Sequence, residues 1–344
     1  MSKRQSPSFR EVAEYAGVSL ATVSRVASGR GGVSSEVEAK VRAAAAKMGA
    51  ILDPREKSQT IAFLPSNRDL LHPIHSRIYV GAESFCRTQG WELVLQTFQY
   101  DKNQPAKEIR LPRLIERGGA IRAVILAGVN TTALLARLDA IGMSYAVLGN
   151  NLAGDWDPSA HDVVYMDDLE GARELTRYLL SLEHRDIWFI GDVEQPWVAR
   201  LLRGYRTVME EAGLAPRWHS MHSDERQAGY LCAKLLISRR EPVTAIFAAS
   251  DPTAEGVIRA LRDSGVRVPE EVSVVGVNDT EGAILHPPLT TIRSFPEEVG
   301  RHLAELVINR IAKPKLPGQQ LTIPTQLIRR ESCRVLAATA SALV

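Results

Sequence analysis

The sequence contains few cysteines and no long hydrophobic run, and both features limit what the protein can be. Its three cysteines, Cys86, Cys232 and Cys333, are odd in number and far apart, which is typical of free thiols in a reducing compartment. No run reaches the roughly 18 apolar residues that a membrane helix needs. The first residues, MSKRQSPS, are basic but precede no apolar stretch, so we expect no secretory signal. Together these features predict a cytoplasmic protein that does not span a membrane.

The sequence also lacks the common motifs of enzymes. It contains no G-x-x-x-x-G-K phosphate loop, no G-x-S-x-G nucleophile elbow and no H-E-x-x-H metal motif. The glycine-rich GRGGV at 29–33 lies between two predicted helices rather than after a strand, which argues against a phosphate loop. Two H-x-x-H pairs, His72/His75 and His219/His222, have the reach to share a metal, but neither has an obvious third ligand. We therefore predict neither a metal nor a cofactor.

Positive charge is concentrated at the start of the chain. Residues 1–57 contain ten Lys and Arg residues against six Asp and Glu residues, whereas the whole chain has a net charge of only +2. The remainder is therefore slightly acidic. A basic N-terminal segment favours a polyanionic partner, although a solvated basic surface would give the same charge.

Residues 8–49 carry the pattern of three short helices. Ser8-Phe9-Arg10-Glu11 has the form of a capping box, which predicts a helix that begins at Phe9 and ends at Gly17. Ser19 would cap the second helix, and the third would begin near Ser34 or Ser35, with Ser35–Glu38 as a further capping box. The predicted inner faces are Phe9, Val12, Ala13 and Ala16, then Val23 and Val26, then Val37, Val41, Ala44 or Ala45, and Met48.

The outer face of the second helix suits DNA. An α-helix fits the major groove of B-DNA, with its N-terminal residues nearest the base edges. Arg25 could donate two hydrogen bonds to guanine, small apolar side chains could contact thymine methyl groups, and short hydroxyls could contact phosphates. A mere helical corner would explain the turn but not the basic charge. We predict a helix-turn-helix whose DNA-binding residues are Ser19, Leu20, Ala21, Thr22, Ser24 and Arg25.

Residues 58–334 alternate short apolar runs with amphipathic segments. Alternating strands and helices predict parallel sheets with both faces covered. Two series of strands indicate two stacked α/β subdomains, with a ligand in the cleft where the carboxyl ends of the strands face each other. The predicted strands are Thr60–Leu64, Glu92–Phe98, Ala123–Leu126 and Tyr145–Leu148 in the first series, and Val163–Met166, Ile187–Ile190, Ala245–Ala248 and Val272–Val277 in the second; predicted helices include Leu169–Leu182, Glu255–Ser264 and Glu297–Ile311.

Several of these segments resemble a known family. FREVAEYAGVSLATVSRV, followed by VSSEVEAKVRAAAAKMG, is similar to the headpiece of the lactose/galactose repressor family of bacterial transcription regulators. HRDIWFIGD, AIFAASD, RVPEEVSVVGVND, PPLTTIR and IPTQLIRRESC resemble landmarks of that family in the same order. The resemblance implies a homodimeric repressor that binds double-stranded operator DNA. It also implies a core like that of a periplasmic sugar-binding protein, which binds a small-molecule effector, often a sugar or a nucleobase derivative.

The resemblance and the patterns together predict the organisation of the chain. We expect a three-helix headpiece at 1–49, a shortened linker at 50–58, a two-lobed α/β core at 59–334 and a tail at 335–344. The first lobe would comprise about 59–159 and 292–320, and the second about 160–291 and 321–334. A two-lobed enzyme tethered to DNA and a solute-binding transport protein are the alternatives. The missing catalytic motifs argue against the first, and the DNA-binding headpiece argues against the second.

The effector-binding residues follow only from position. Family members commonly use an arginine three residues before the glycine of an R-x-x-G element, and this chain has Leu201 there, with Arg200 beside it. Each polar candidate could instead cap a loop, and the aromatic one, which could stack on a sugar ring, could simply pack. The predicted effector-binding residues are His72, Asn150, Trp197, Arg200, Ser250, Asp251 and Asn278.

The linker departs most from the family. There, about ten residues after the third helix form a hinge helix on DNA, and the leucine of an A-x-x-L element wedges into the minor groove and kinks the duplex. Here the linker is about five residues shorter, lacks A-x-x-L, and contains Pro54, which disfavours the α conformation at Asp53. The only apolar side chains available for a wedge are Ile51 and Leu52. We therefore expect recognition mainly through the major groove.

Overall fold

The computed structural model describes residues 7–28, 33–50, 52, 58–68, 72–116 and 120–336. Its N-terminal part consists of three helices, α1 (Phe9–Ala16), α2 (Leu20–Ser28) and α3 (Ser35–Met48). The predicted capping box of α1 is present, and Gly17 ends the helix with a φ of 62° in the left-handed region. Ser34, not Ser35, caps α3, because its hydroxyl accepts from the backbone of Val37. The predicted box at Ser35–Glu38 is therefore wrong by one residue.

A small apolar core joins the three helices. Val12, Val23 and Val41 are fully buried within it. Leu52 follows α3 and packs against the same core, with 7% of its surface exposed. The remaining members are Ala13, Ala16, Val26, Ala44 and Ala45, with Phe9, Val37 and Met48 partly buried beside them. This set agrees with the predicted inner faces and adds Leu52.

The rest of the chain forms two six-stranded sheets. The strands are β1 Thr60–Leu64, β2 Glu92–Leu95, β3 Ala123–Leu126, β4 Asn130–Thr131, β5 Ser144–Leu148, β6 Leu152–Ala153, β7 Asp162–Met166, β8 Ile187–Ile190, β9 Arg217–His219, β10 Ala245–Ala248, β11 Ser273–Asn278, β12 Thr290–Arg293, β13 Gln320–Ile323 and β14 Gln326–Ile328; β4 and β6 pair separately. The first sheet has the order β13-β7-β5-β3-β1-β2 and is parallel throughout. The second has the order β14-β12-β11-β10-β8-β9, in which only β14 is antiparallel to its neighbour.

Helices cover both faces of each sheet, as the alternating pattern predicted. Separate apolar clusters lie on the two faces of the first sheet and on the two faces of the second. The helices are α4 Pro73–Thr88, α5 Arg113–Glu116, α6 Thr132–Ala140, α7 Asp168–Ser181, α8 Pro196–Glu211, α9 Glu225–Ser238, α10 Asp251–Arg262 and α11 Pro296–Ala312. None of the helices in the described ranges combines the length and the apolar character that a membrane span requires. We call the first sheet with its helices the first lobe, and the second sheet with its helices the second lobe.

The chain crosses between the lobes later than the sequence suggested. The strand predicted at Val163–Met166 was placed in the second series, but β7 pairs with β5 and β13 in the first sheet. Buried parallel strands share one composition, so their partners cannot be inferred from their residues. An ion pair of Asp162 with Arg310 of α11, 2.7 Å long, also ties β7 to the first lobe. The first crossing therefore follows β7 rather than lying near 160, whereas the other two follow β12 and β13, close to the predicted positions near 291 and 320.

Helices α4 and α11 of the first lobe cross in close contact at two glycines. A Cβ on Gly81 would overlap the carbonyl oxygen of Glu297, and a Cβ on Gly300 would overlap that of Ile78. Backbone atoms cannot yield as a flexible side chain can. The two glycines therefore set the distance between these helices.

We predict that Gly300→Ala lowers the free energy of unfolding by about 1–3 kcal/mol, because the added methyl forces the helices apart. At an uncrowded helix position, replacement of glycine by alanine would raise the free energy of unfolding by about 0.8–1 kcal/mol. Asn309→Ala, at an exposed site of α11, is the control and should shift it by less than about 0.5 kcal/mol. Urea melts give both values, and a Gly300→Ala variant as stable as the wild type would show that the crossing tolerates the methyl.

Candidate DNA-binding surface and ligand cleft

The outer face of α2 is exposed, with Leu20 half exposed to solvent. Ala21, Ser24 and Arg25 are exposed beside it. On the other face, Val23 and Val26 are buried against α1 and α3. The sequence places these two valines three residues apart, so one stripe of the helix packs inward and the predicted DNA-contacting stripe points outward.

The two hydroxyls at the start of α2 already have partners. Ser19 Oγ accepts from the backbone N–H of Thr22 at 3.0 Å, which caps the helix. The Ser19 and Thr22 hydroxyls also lie 2.8 Å apart in a hydrogen bond. Both residues lie where the helix begins, so this end of α2 can present hydroxyls and backbone N–H groups to a phosphate.

A cleft lies between the carboxyl-terminal ends of the strands of the two lobes. The space within it, open solvent included, is about 600 Å³. Four of the seven predicted effector-binding residues line it, namely His72, Trp197, Ser250 and Asn278. His72 precedes α4 in the first lobe, whereas the other three belong to the second lobe. The cleft is therefore built from both lobes, as the parallel-sheet topology predicts.

The other three predicted residues, Asn150, Arg200 and Asp251, do not line the cleft. Asn150 is fully buried, and its amide donates to the carbonyl of Met166 at 2.8 Å and accepts from the Met166 N–H at 2.9 Å. Its neighbour Asn151 lines the cleft instead. Arg200 pairs with Asp168 at 2.8 Å and lies over the ring of Tyr165.

Asp251 has a structural environment rather than a ligand-facing one. It is completely buried and accepts hydrogen bonds from the backbone of Thr280 at 2.8 Å and from the hydroxyl of Thr291 at 2.8 Å. Burial raises the pKa of Asp251 to about 6, against the lowering effect of these hydrogen bonds. The carboxylate thus holds the loop after β11 in place. Asn278, the last residue of β11 before this loop, has a φ of 97° in the left-handed region and lines the cleft.

Two charged residues that the sequence did not single out meet in the cleft. Glu225, the first residue of α9 in the second lobe, receives the Arg68 guanidinium of the first lobe at 3.0 Å. His72 Nε2 lies 3.2 Å from the same carboxylate, and the Ser250 hydroxyl donates to it at 2.7 Å. The Arg68 guanidinium also lies over the ring of Trp197, 4.3 Å from its centroid. These contacts connect the lobes across the cleft.

The surroundings of Glu225 and His75 in the cleft lower the pKa values of both side chains. Burial acts to raise the pKa of Glu225, but His72, Arg68 and Ser250 outweigh it and hold that pKa well below the usual range. Burial, with the charges of Arg68 and His72, lowers the pKa of His75 well below its usual value. The carboxylate is therefore charged and the His75 ring neutral near neutral pH.

The histidines of the two H-x-x-H pairs contact one another, an aromatic ring or a carboxylate. His72 and His75 pack edge to face, and His219 stacks on Trp188. His222 Nδ1 lies 2.8 Å from Asp192, and these two with Glu194 form a group, within the part of the chain that the structure describes, whose ligand atoms lie within 4.8 Å of one another. Glu194 and His222 are exposed, so water can satisfy them without an ion.

Comparisons with known proteins agree with this architecture. The family of bacterial regulatory proteins of the lacI type matches residues 8–50, and the periplasmic binding protein-like domain matches residues 176–333. The HTH-type transcriptional regulator CelR of Thermobifida fusca is 29% identical over 96% of this chain and 100% of its own length. The HTH-type transcriptional repressor PurR of Haemophilus influenzae (strain PittEE) is 27% identical over 95% of this chain and 98% of its own.

Similarity extends to a solved structure. The complex of the transcriptional regulator CelR with cellobiose superimposes with a TM-score of 0.70 at 29% identity, covering 95% of this chain and 99% of that one. The lacI-type match falls on the three-helix headpiece, and the periplasmic binding protein-like match falls on the α/β core that follows it. Over nearly its whole length the chain is therefore similar to regulators of the lacI type.

Proposed function

We propose that the protein is a transcriptional repressor that binds operator DNA through residues 1–49 and a small-molecule effector through the cleft of residues 59–334. Residues 50–58 connect the two parts, and 335–344 form a tail. Its relatives are transcriptional regulators, and we propose that this chain likewise acts in the cytoplasm without catalysing a reaction. Turnover of any member of a sugar panel would favour the tethered-enzyme alternative.

The observation that carries the DNA-binding part is the exposed face of α2 on a folded three-helix core. Arg25, Leu20 and Ala21 lie on that face, and Ser24 lies beside them. One headpiece reads few base pairs, so we propose a homodimer whose two headpieces read a near-palindrome.

The effector is proposed to be sugar-like. Trp197 offers an aromatic ring, and His72, Ser250 and Asn278 offer polar groups from both lobes. The related CelR was solved with cellobiose. A ligand that contacts both lobes changes the balance between their arrangements only by its differential affinity for them.

We expect operator and effector to alter each other's affinity by the same factor, about 5- to 150-fold, because allosteric coupling is reciprocal. Operator binding is measured by fluorescence anisotropy at increasing effector, and effector binding by calorimetry with and without operator. The same anisotropy assay tests the homodimer when the affinity for DNA with two half-sites is compared with the affinity for DNA with one. Equal affinities with and without operator, for a ligand that binds the cleft, would exclude control by that ligand.

A further inference from the structure

The first-lobe wall of the cleft contains buried nitrogen atoms that the protein does not pair. Within the described ranges, Arg68 Nε and His75 Nδ1 are buried and make no hydrogen bond. Both side chains line the cleft, and His75 is only 2% exposed. Buried polar atoms are nearly always hydrogen-bonded, and an unpaired one costs free energy. Such atoms in the wall of a cleft point to a ligand that pairs with them.

The unpaired nitrogen of Arg68 is a donor. The Nε of a guanidinium carries a proton and cannot accept. The ligand must therefore supply an acceptor atom at this wall.

The same wall already binds one carboxylate. Arg68 Nη2 and His72 Nε2 lie 3.0 and 3.2 Å from Glu225 Oε1, which reaches across from the second lobe. These contacts use one edge of the Arg68 guanidinium and leave Nε for a second acceptor. The ring of Trp197 holds the guanidinium from its face, 4.3 Å away. The donors are therefore held in place before a ligand arrives.

We propose that the effector carries an oxyanion, a carboxylate or a phosphate, that accepts a hydrogen bond from Arg68 Nε. This inference rests on the proposed function, because it names the chemical class of its effector. An oxyanion offers several acceptor oxygens and pairs with the Arg68 charge, whereas a neutral hydroxyl offers only a weaker hydrogen bond. Sugar acids and sugar phosphates are compounds of this class whose hydroxyls can also pair with the polar side chains that both lobes present in the cleft.

The charge of Glu225 gives the proposal a second, opposite consequence. Its carboxylate repels an incoming anion and competes with it for Arg68. Removal of that charge in Glu225→Gln should therefore strengthen the binding of an anion. A neutral sugar gains nothing from the same change, because it is not repelled and loses an acceptor.

The test measures binding to the full-length protein, without DNA, by isothermal calorimetry. The probes are inorganic phosphate and the matched pairs gluconate and glucitol, and glucose 6-phosphate and glucose. The anionic member of at least one pair should bind at least about tenfold more tightly than its neutral partner, and phosphate should compete with it. The first pair reports a carboxylate and the second a phosphate.

Variants locate the binding. Arg68→Met should weaken the anionic probes about 10- to 100-fold, and Glu225→Gln should strengthen them several-fold. Arg77→Gln, which removes an exposed arginine of the first lobe that pairs with Glu297, is the matched control and should leave binding unchanged. Because the two cleft variants act in opposite directions, a general loss of folding cannot imitate both results.

Three results would overturn the proposal. They are the absence of binding by phosphate and by both anionic sugars, equal binding within both pairs, or phosphate binding that Arg68→Met does not change. If a neutral sugar released operator DNA and no anion bound, the proposal of an oxyanion would be wrong, but the proposed function would stand. Failure of the proposed function would instead be seen as absence of operator binding.

Discussion

Replacement of Arg25 by alanine is expected to weaken binding to the specific operator about 5- to 150-fold, equivalent to about 1–3 kcal/mol, and to relax the preference at one base pair of each half-site. Arg25 is exposed on the outer face of α2, whereas the inner face of that helix is buried. An arginine in the major groove can donate two hydrogen bonds to guanine. Loss of this pair removes discrimination as well as affinity, which anisotropy titrations against an operator series will measure.

Two further variants separate base reading from charge and from phosphate contact. Arg42→Ala removes an arginine of α3 that is 58% exposed and pairs with Glu38 at 2.7 Å, so it should change affinity little. Thr22→Ala, at the start of α2, should weaken all sequences alike because a phosphate contact carries no sequence information. If Arg25→Ala weakened every sequence equally, Arg25 would contact the backbone and not a base.

The headpiece could be predicted from local pattern because its determinants are local. A capping box, a glycine in the left-handed region and valines three residues apart act within one or two turns of helix. The sheet order could not be predicted in the same way. Strand β7 is a short, mostly apolar run like β8 and β10 of the second sheet, and only its partners, far away in the sequence, decide where it lies. The strands β9, β12, β13 and β14 were not predicted at all.

In the cleft, too, some features could be predicted from the sequence and others could not. Ser250 and Asn278 follow predicted strands, so their places at the cleft could be inferred from the topology, whereas His72 and Trp197 lie at the starts of helices that were not predicted. Between Asn150 and Asn151 only the backbone geometry after β5 decides which amide faces the cleft, and the predicted residue, Asn150, bonds to the backbone of Met166 instead.

The charged contact across the cleft lay beyond sequence reasoning. Arg68 and Glu225 are 157 residues apart, and neither lies in a recognisable motif. Asp224 and Glu225 predict no more than the start of a helix. The residues that connect the two lobes therefore emerge only from the three-dimensional structure.

The structure also sharpens the prediction for the linker. Ile51, Pro54 and the other residues at 53–57 lie outside the described residues, but Leu52 is described and is 7% exposed in the headpiece core. A side chain that wedges between base pairs must leave its own core, and Leu52 would lose its packing by doing so. Of the two apolar candidates, only Ile51 is then available, and the sequence provides five residues between Leu52 and Ser58.

We therefore expect the bound operator to be bent little, without the deformation energy of about 1–6 kcal/mol that a strong bend costs and without extra contacts at the operator centre. Leu52→Ala should instead lower the free energy of unfolding of the headpiece by about 2–5 kcal/mol, because it leaves a cavity in the small core. Thermal melts give the stability, and energy transfer between dyes at the operator ends gives the bend.

Leu20→Ala provides the matched control for this pair of measurements. Leu20 is half exposed on the DNA-facing side of α2, so its removal should weaken DNA binding while leaving the melting temperature nearly unchanged. Leu52→Ala should instead lower the melting temperature more than it weakens DNA binding. When the DNA is saturated with this variant, the bend angle should be the same as with the wild type. A central kink of about 40° or more that Ile51→Ala or Leu52→Ala abolishes would show that a wedge persists in the shortened linker, and recognition would then extend into the minor groove.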